Sequence, residues 1–405
     1  MSSAINAGDT GWVLVSTALV LIMTPALAFF YGGMVRKKNI LSTLNLSFIM
    51  MALIGVQWVL YGYSLAFGGD LGGLVGDLRY LGFAGVGAKP GPYASNIPGL
   101  VFAAFQMMFA IITPALITGS FVERVRFKAF VIFSLAWATL VYDPLCHWVW
   151  GDGGWMKALG ALDFAGGTVV HIAAGFSALS FAMVIGPRKG YPKAPMEPHN
   201  IPFTVLGAGL LWMGWFGFNA GSALAADGLA ASALVTTNTA AAAAALVWML
   251  LAWNDGKPSV LGIATGAVVG LVAVTPAAGF VTPMGAMAIG ALAAPVSYYA
   301  IRFRQGRGWD ESLDVWACHG MAGTWGALAT GIFADPAVNG AAGLLYGNPG
   351  QLGIQILTVV ATIVFVFAVT FILAKVLDAV VGIRVSQPEE EVGLDLSEHG
   401  ERAYA

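Results

Sequence analysis

Eleven apolar stretches, each long enough at roughly twenty residues to cross a bilayer, follow one another along a chain of 405 residues. To within a few residues they cover 11–34, 41–67, 99–121, 128–149, 164–187, 200–222, 229–253, 259–279, 283–303, 313–333 and 352–382. Hydrocarbon offers a backbone amide no partner, so a crossing segment must satisfy its own hydrogen bonds, as a helix does. The pattern predicts an all-α polytopic membrane protein with eleven transmembrane helices. With 58% hydrophobic residues, 10% charged and a mean hydropathy of +0.78, the chain lies outside the range of soluble domains.

Charge orients the stack. Counted off span by span, Arg36, Lys37, Lys38, Arg124, Arg126, Lys128, Arg188, Lys189, Lys193, Lys257, Arg302, Arg304, Arg307, Arg384 and Arg402 fall on one side, fifteen of the nineteen basic residues. Arg79, Lys89 and Lys157 fall on the other, and Lys375 lies inside the last span. Basic residues collect in cytoplasmic loops, so the N-terminus is expected outside and the C-terminus inside. The organisation expected is a transmembrane domain over 1–383 and a cytoplasmic tail over 384–405. The tail carries Glu389, Glu390 and Glu391 in a row, and composition alone reads it as solvated. The first ten residues contain no Lys or Arg, so Gly11 to Met34 is read as a true span and a cleaved signal peptide is not expected.

A net charge of -2 points to no nucleic-acid partner. Cys146 and Cys318 are too few for a disulfide framework, have no metal-ligand spacing around them, and read as small apolar side chains. Trp12, Tyr31, Trp148, Trp150, Trp155, Tyr298 and Tyr299 lie at span ends, where interfacial anchors belong. The 53 glycines and the run Ala240 to Ala245 permit close helix approach where lipid supplies no hydrophobic drive.

An ionisable side chain in hydrocarbon needs a cavity or a partner. Asp163 and His171 enter the fifth span, and Asp314 and His319 enter the tenth. Five spans apart means opposite orientation, so spans 1–5 and 6–10 are expected to be inverted repeats, with span 11 added. In such folds the substrate site lies near the midplane beside broken helices, which Gly166, Gly167 and Gly320 would allow. His147, His199 and His399, at span ends or in the tail, read as solvated or interfacial. For His171 and His319 a metal site lacks further ligands at helical spacing, and a haem would require room for its macrocycle. A polar relay or a satisfied core pair remains. An imidazole offers one donor and one acceptor, which suits a relay. Measured from the span ends, the two rings sit several residues apart in depth on opposite sides of the midplane, so depth alone does not bring them together.

The residues resemble, over nearly the whole chain, the prokaryotic branch of the ammonium transporter/methylammonium permease (Amt) family. The resemblance is carried by Phe29-Phe30-Tyr31-Gly32-Gly33-Met34-Val35-Arg36 and by Asp163-Phe164-Ala165-Gly166-Gly167-Thr168-Val169-Val170-His171. It is carried equally by Gly214-Trp215-Phe216-Gly217-Phe218-Asn219-Ala220-Gly221-Ser222, by Asp314 to Gly320, and by Gly393-Leu394-Asp395 with His399-Gly400-Glu401 in the tail. It implies an outer cation site of Trp150, Phe109 and Ser222 with Phe105 nearby, Trp215 counted among the substrate-contacting residues, and Phe109 and Phe218 closing the pore. It implies further that His171 and His319 are twin histidines in contact along the lumen, and that Asp163 acts through structure and electrostatics without touching the ion.

The same resemblance implies selective, electrogenic transport of ammonium or methylammonium by a homotrimer in the cell membrane. NH4+ would shed its proton outside, NH3 would cross an apolar pore, and the proton would follow the histidines. No enzyme activity, metal or cofactor is implied, and the ordered tail would pack on a neighbouring subunit and answer to a PII-type signalling protein. Cys318 departs from the aliphatic residue anticipated before His319. Two other readings stay open at this point: an ammonium sensor signalling to a cytoplasmic partner, and a channel for neutral NH3.

Overall fold

A computed structural model describes residues 5–404, nearly all of it helix. Among the described residues, nine helices are long and apolar enough to cross a membrane. We number the helices of the bundle α1 (Ala7–Met34), α2 (Lys37–Phe67), α3 (Gly99–Ser120), α4 (127–150), α5 (Gly167–Ile185), α6 (Ile201–Ala223), α7 (Gly228–Asp255), α8 (Val260–Val274), α9 (Pro283–Gly306), α10 (316–333) and α11 (Pro349–Val380). Two of them, α8 and α10, fall short of the other nine in length. The expected span 259–279 is helical only to Val274. The turns after it, with Thr275, Ala277, Ala278 and Val281 buried, run inside protein, where irregular backbone is tolerated at membrane depth.

Helices pack through glycine and alanine. Along α6, Gly207, Gly214 and Gly217 face Phe30, Met23 and Ser16 of α1 so closely that an added Cβ would collide with backbone or side chain. Gly270 of α8 and Gly290 of α9 both abut the carbonyl of Ala240 in α7, which gives the alanine run its purpose.

The starts of α5 and α10 repeat one pattern. His171 and His319 are 148 positions apart, and the same shift carries Asp163 onto Glu311, Gly166 onto Asp314 and Gly175 onto Gly323. Gly166 and Asp314 both take positive φ, 110° and 60°. A π-helical turn follows each, Gly167–Ile172 and Trp316–Met321. The helices then cross at their glycines: a Cβ on Gly175 would strike the Gly320 backbone, and one on Gly323 would press on His171 Cβ at 3.1 Å.

Some polar residues are placed otherwise than expected. Tyr31 is 1% exposed and donates to the Leu116 carbonyl, and Trp148 is 9% exposed and donates to the Leu74 carbonyl, so neither is an interfacial anchor. His147 is fully buried, contrary to its solvated reading, because its two ring nitrogens reach the Ala66 carbonyl and Asp70 Oδ1, each at 3.0 Å. That hydrogen bond draws Asp70, in the loop after α2, below the usual carboxylate range. Asp143, just past a π turn in α4, is buried and accepts Gln57 Nε2 at 2.7 Å.

At the basic end of the bundle Glu123 is sealed in. It accepts from Arg36 Nε at 3.0 Å, Asn39 Nδ2 at 3.0 Å and Arg188 Nη1 at 2.8 Å, and Arg188 also clasps Asp310. Burial opposes the charge on Glu123, but Arg188 and Arg36 outweigh it and hold the carboxyl below its ordinary value.

Against this end lie the two short tail helices α12 (Gln387–Val392) and α13 (Leu394–His399). Glu390 is 2% exposed and accepts Lys189 N at 2.6 Å and Arg384 Nη2 at 2.8 Å. Asp395 accepts Ser42 N, and Asn39 accepts Leu394 N, both at 2.8 Å. The composition-based reading of a solvated tail is thus corrected: the acidic run is paired, and the tail docks on its own chain. Replacing Glu390 with Ala strips two donors of their acceptor, a loss on the order of 2 kcal/mol in docking. Limited trypsinolysis followed by mass spectrometry is expected to show cleavage after Arg384 severalfold faster in Glu390→Ala than in wild type, with the membrane helices intact.

Candidate functional site

Asp163 ends an extended lead-in and faces the first turn of α5. Its Oδ1 accepts the amides of Gly166 at 2.8 Å and Gly167 at 2.7 Å, and its Oδ2 those of Thr168 at 2.8 Å and Val169 at 3.3 Å. A helix start leaves its first amides unpaired, and one carboxylate meets them all. The Asp163 carbonyl accepts the indole Nε1 of Trp150 at 2.9 Å. One residue therefore positions both the tryptophan at the mouth and the helix that carries His171.

At α10 the matching cap is Glu311, whose carboxylate accepts Val315 N at 3.0 Å and Trp316 N at 3.2 Å. The sequence comparison had matched Asp163 with Asp314; the structure corrects that pairing. Each cap stands eight residues before its histidine, and that common spacing was the signal available in the sequence. Asp314 instead turns toward Arg304, at 2.8 Å, and lines a cavity at the basic end.

The outer cavity, about 180 Å³, is lined by Trp150, Phe109, Ser222, Gln106, Tyr93 and Lys157 among others. Phe109 meets Trp150 edge-on with centroids 5.9 Å apart. Ser222 donates its hydroxyl to the Phe218 carbonyl at 2.9 Å, which leaves its oxygen lone pairs for a donor in the cavity. Phe105 lies behind this wall: it is buried, packs edge-on against Phe109 at 5.0 Å, and does not line the cavity. Gln106, one polar residue in an apolar span, went unread in the sequence. Its Oε1 has no hydrogen-bond partner among the described residues.

Phe218 and Phe109 close the floor, with ring centroids 4.4 Å apart. Beyond them a cavity of about 10 Å³, no more than one water needs, is lined by Leu27, Val170, Trp215, Phe218, His171 and His319 among others. Trp215 belongs here rather than with the outer site. It is 2% exposed, held by Thr275 Oγ1 at 2.9 Å, and stacked on His171 at 5.4 Å.

His171 and His319 meet. Their Nδ1 atoms are 3.2 Å apart and the rings are inclined by 29°. Depth along the spans had left them apart because each apolar run includes a non-helical lead-in, and because the crossing at Gly175 and Gly323 pulls the two helices together. Two facing Nδ1 atoms form one hydrogen bond only if one carries a proton and the other a lone pair. His171 Nε2 has no hydrogen-bond partner among the described residues. His319 borders both the narrow cavity and the cavity at the basic end, about 270 Å³, which Tyr31, Trp248, Asp314 and Cys318 also line. An aromatic and hydroxyl mouth, a phenylalanine floor, an apolar constriction with paired imidazoles and a second, wider cavity of mixed lining thus follow one another through the bundle.

A model of the Ammonium Transporter Family matches residues 11–404. The chain belongs to the ammonium transporter family. It is 52% identical over 397 residues to an ammonium transporter of Archaeoglobus fulgidus, covering 98% of this chain and 99% of that one. To an ammonium transporter of Bacillus subtilis it is 49% identical over 401 residues, 98% of each. Among solved structures, Candida albicans Mep2 superposes with a TM-score of 0.90 at 35% identity, covering 98% of this chain and 90% of that one. A protein described as a sensor Amt protein also superposes at 0.90, with 28% identity and coverage of 97% and 98%. A multi-pass membrane protein of this family handles ammonium as its substrate class.

The two caps differ in load, and stability should record it. Asp163→Ala orphans four buried amides and is expected to cost about 2–4 kcal/mol, whereas Glu311→Ala orphans two and costs about half as much. Thermal unfolding of the purified variants in detergent checks the order; a Glu311→Ala protein that melts below Asp163→Ala would contradict it.

Proposed function

We propose that this chain is a selective, electrogenic ammonium transporter in which the proton and the ammonia separate at the Phe109–Phe218 floor. The observation that carries the reading is the His171–His319 contact at 3.2 Å inside an apolar constriction between two wider cavities. NH4+ enters the outer cavity, where the Trp150 and Phe109 rings attract a cation by about 0.5–2 kcal/mol as it loses water. Ser222 and Gln106 supply oxygen acceptors for its N–H groups.

Below the floor an intact cation would exchange water for carbon, a step opposed by the charge cost of hydrocarbon. NH3 has no such charge and crosses the apolar wall. The proton passes to His171 and on to His319, whose shared Nδ1 line transfers one proton at a time. K+ resembles NH4+ in size but has no proton to yield, and the constriction provides no ring of oxygens to replace its water. The protein performs this by binding, orienting and moving a proton, without making or breaking bonds other than N–H.

Charge in the connecting loops supports an N-terminus outside and a C-terminus in the cytoplasm of the cell membrane. Family membership supports a homotrimer and a PII-type partner at the tail face. A sensor, the description attached to one structural relative, would retain the outer cavity but has no need of the paired imidazoles; their presence favours transport. A neutral-gas channel has no use for an aromatic cation site at the mouth.

The test is ammonium-evoked charge movement in proteoliposomes of the purified protein, against K+ and methylammonium at matched concentration. A current selective over K+ is expected. Its absence from intact, ammonium-binding protein would favour the sensor or the gas channel. The double variant His171→Ala with His319→Ala is expected to lose at least nine-tenths of that current while its outer site still binds ammonium; an undiminished current in that variant would eliminate the relay.

A further inference from the structure

The rim of the outer cavity carries a cation of its own. Lys157, on the short helical turn Trp155–Ala158 that follows Trp150, lines the cavity together with Trp150, Phe109 and Ser222. Its Nζ donates to Asp152 Oδ1 at 2.6 Å and to the Trp150 carbonyl at 3.2 Å, and lies 5.6 Å from the centre of the Tyr93 ring. A carboxylate, a carbonyl and an aromatic face are the groups an ammonium ion would itself select.

The ring beside Lys157 is held on three sides. Tyr93 donates its hydroxyl to the Phe67 carbonyl at 3.0 Å, accepts the Asp152 amide at 3.1 Å, and stacks on Phe102 with an interplanar angle of 5°. The pair itself sits at the water's edge, with 44% of the Lys157 side chain and 59% of the Asp152 side chain exposed.

We propose that Lys157 sets the affinity and cation preference of the outer site, acting as a tethered rival to the arriving ion. Its ammonium head repels a second cation and occupies the carboxylate and carbonyl that would otherwise draw one in. The proposal rests on the reading of Trp150, Phe109 and Ser222 as the cation site. Together Lys157 and Asp152 present no net charge to the cavity. The two removals leave charges of opposite sign: Lys157→Gln leaves a free carboxylate at the mouth, and Asp152→Asn leaves a free ammonium group. A clasp that merely shaped the loop would be loosened by both changes alike.

The measurement is the KM of the ammonium-evoked current in proteoliposomes, taken at about 0.01 M and about 1 M sodium chloride, where the screening length falls from about 30 Å to about 3 Å. At low salt Lys157→Gln is expected to lower KM about two- to fivefold and Asp152→Asn to raise it by a similar factor, as for partly exposed charges. The double variant and Lys157→Arg should stay near wild type, the maximal current should hold, and the single-variant shifts should shrink at high salt. Equal KM for Lys157→Gln and wild type at low salt would overturn the proposal, as would a salt-independent rise of KM in both single variants. A wild type with no saturable ammonium current would instead remove the cation-site reading, and this proposal with it.

Discussion

The carboxylate of Asp163 gathers four backbone amides at the opening of α5, and its carbonyl holds the Trp150 indole. In a hydrocarbon setting those amides have no water to turn to, so an uncapped helix start at this depth would be costly. With the cap in place, the helix begins inside the protein, His171 stands one turn below, and the mouth and the lumen are built from the same residue. The repeat applies the same solution at α10 with Glu311, using two amides instead of four. The lighter cap leaves Asp314 free to engage Arg304 and to border the second cavity.

Narrowness does the remaining work of the lumen. A space that holds about one water, walled by Leu27, Val170, Trp215 and Phe218, admits neither a hydrated ion nor a chain of solvent. Among the described residues that line it, Trp215 spends its indole N–H on Thr275, and the two imidazoles turn to one another, a hydrogen bond that satisfies part of their need in place of water. Glycine is what brings them together. At Gly175 any side chain would strike the Gly320 backbone, and at Gly323 even a Cβ would sit tightly against His171, so the contact between the rings depends on two positions where the protein has no side chain.

The basic end follows a different rule, since charge there is abundant and its cost is met by pairing. Glu123 and Asp310 neutralise Arg36 and Arg188 in a buried network, and the tail extends it outward through Glu390, Lys189 and Arg384. A segment that looks like a polar appendage by composition is thereby tied to the loops beneath α1 and α5.

Much of this was legible from the residues alone. Apolar run length determined the helical, membrane-spanning class, because the thickness of a bilayer and the rise of a helix leave little choice. The motifs that hold Phe29 to Arg36, Asp163 to His171, Gly214 to Ser222 and Asp314 to Gly320 pointed to the family. What depended on three dimensions was everything set by helix crossing and by local caps. Trp215 faces the lumen and Phe105 backs the wall because of the rotation of α6 and α3, which a nearly uniform apolar sequence does not encode in its periodicity. His147 is buried and the acidic tail is docked because partners distant in the chain, Asp70 in one case and Lys189 with Arg384 in the other, reach them only in the folded state. The contact of His171 with His319 was decided in the same way: sequence places each ring on a span, but only close packing at two glycines brings their nitrogens within hydrogen-bond reach.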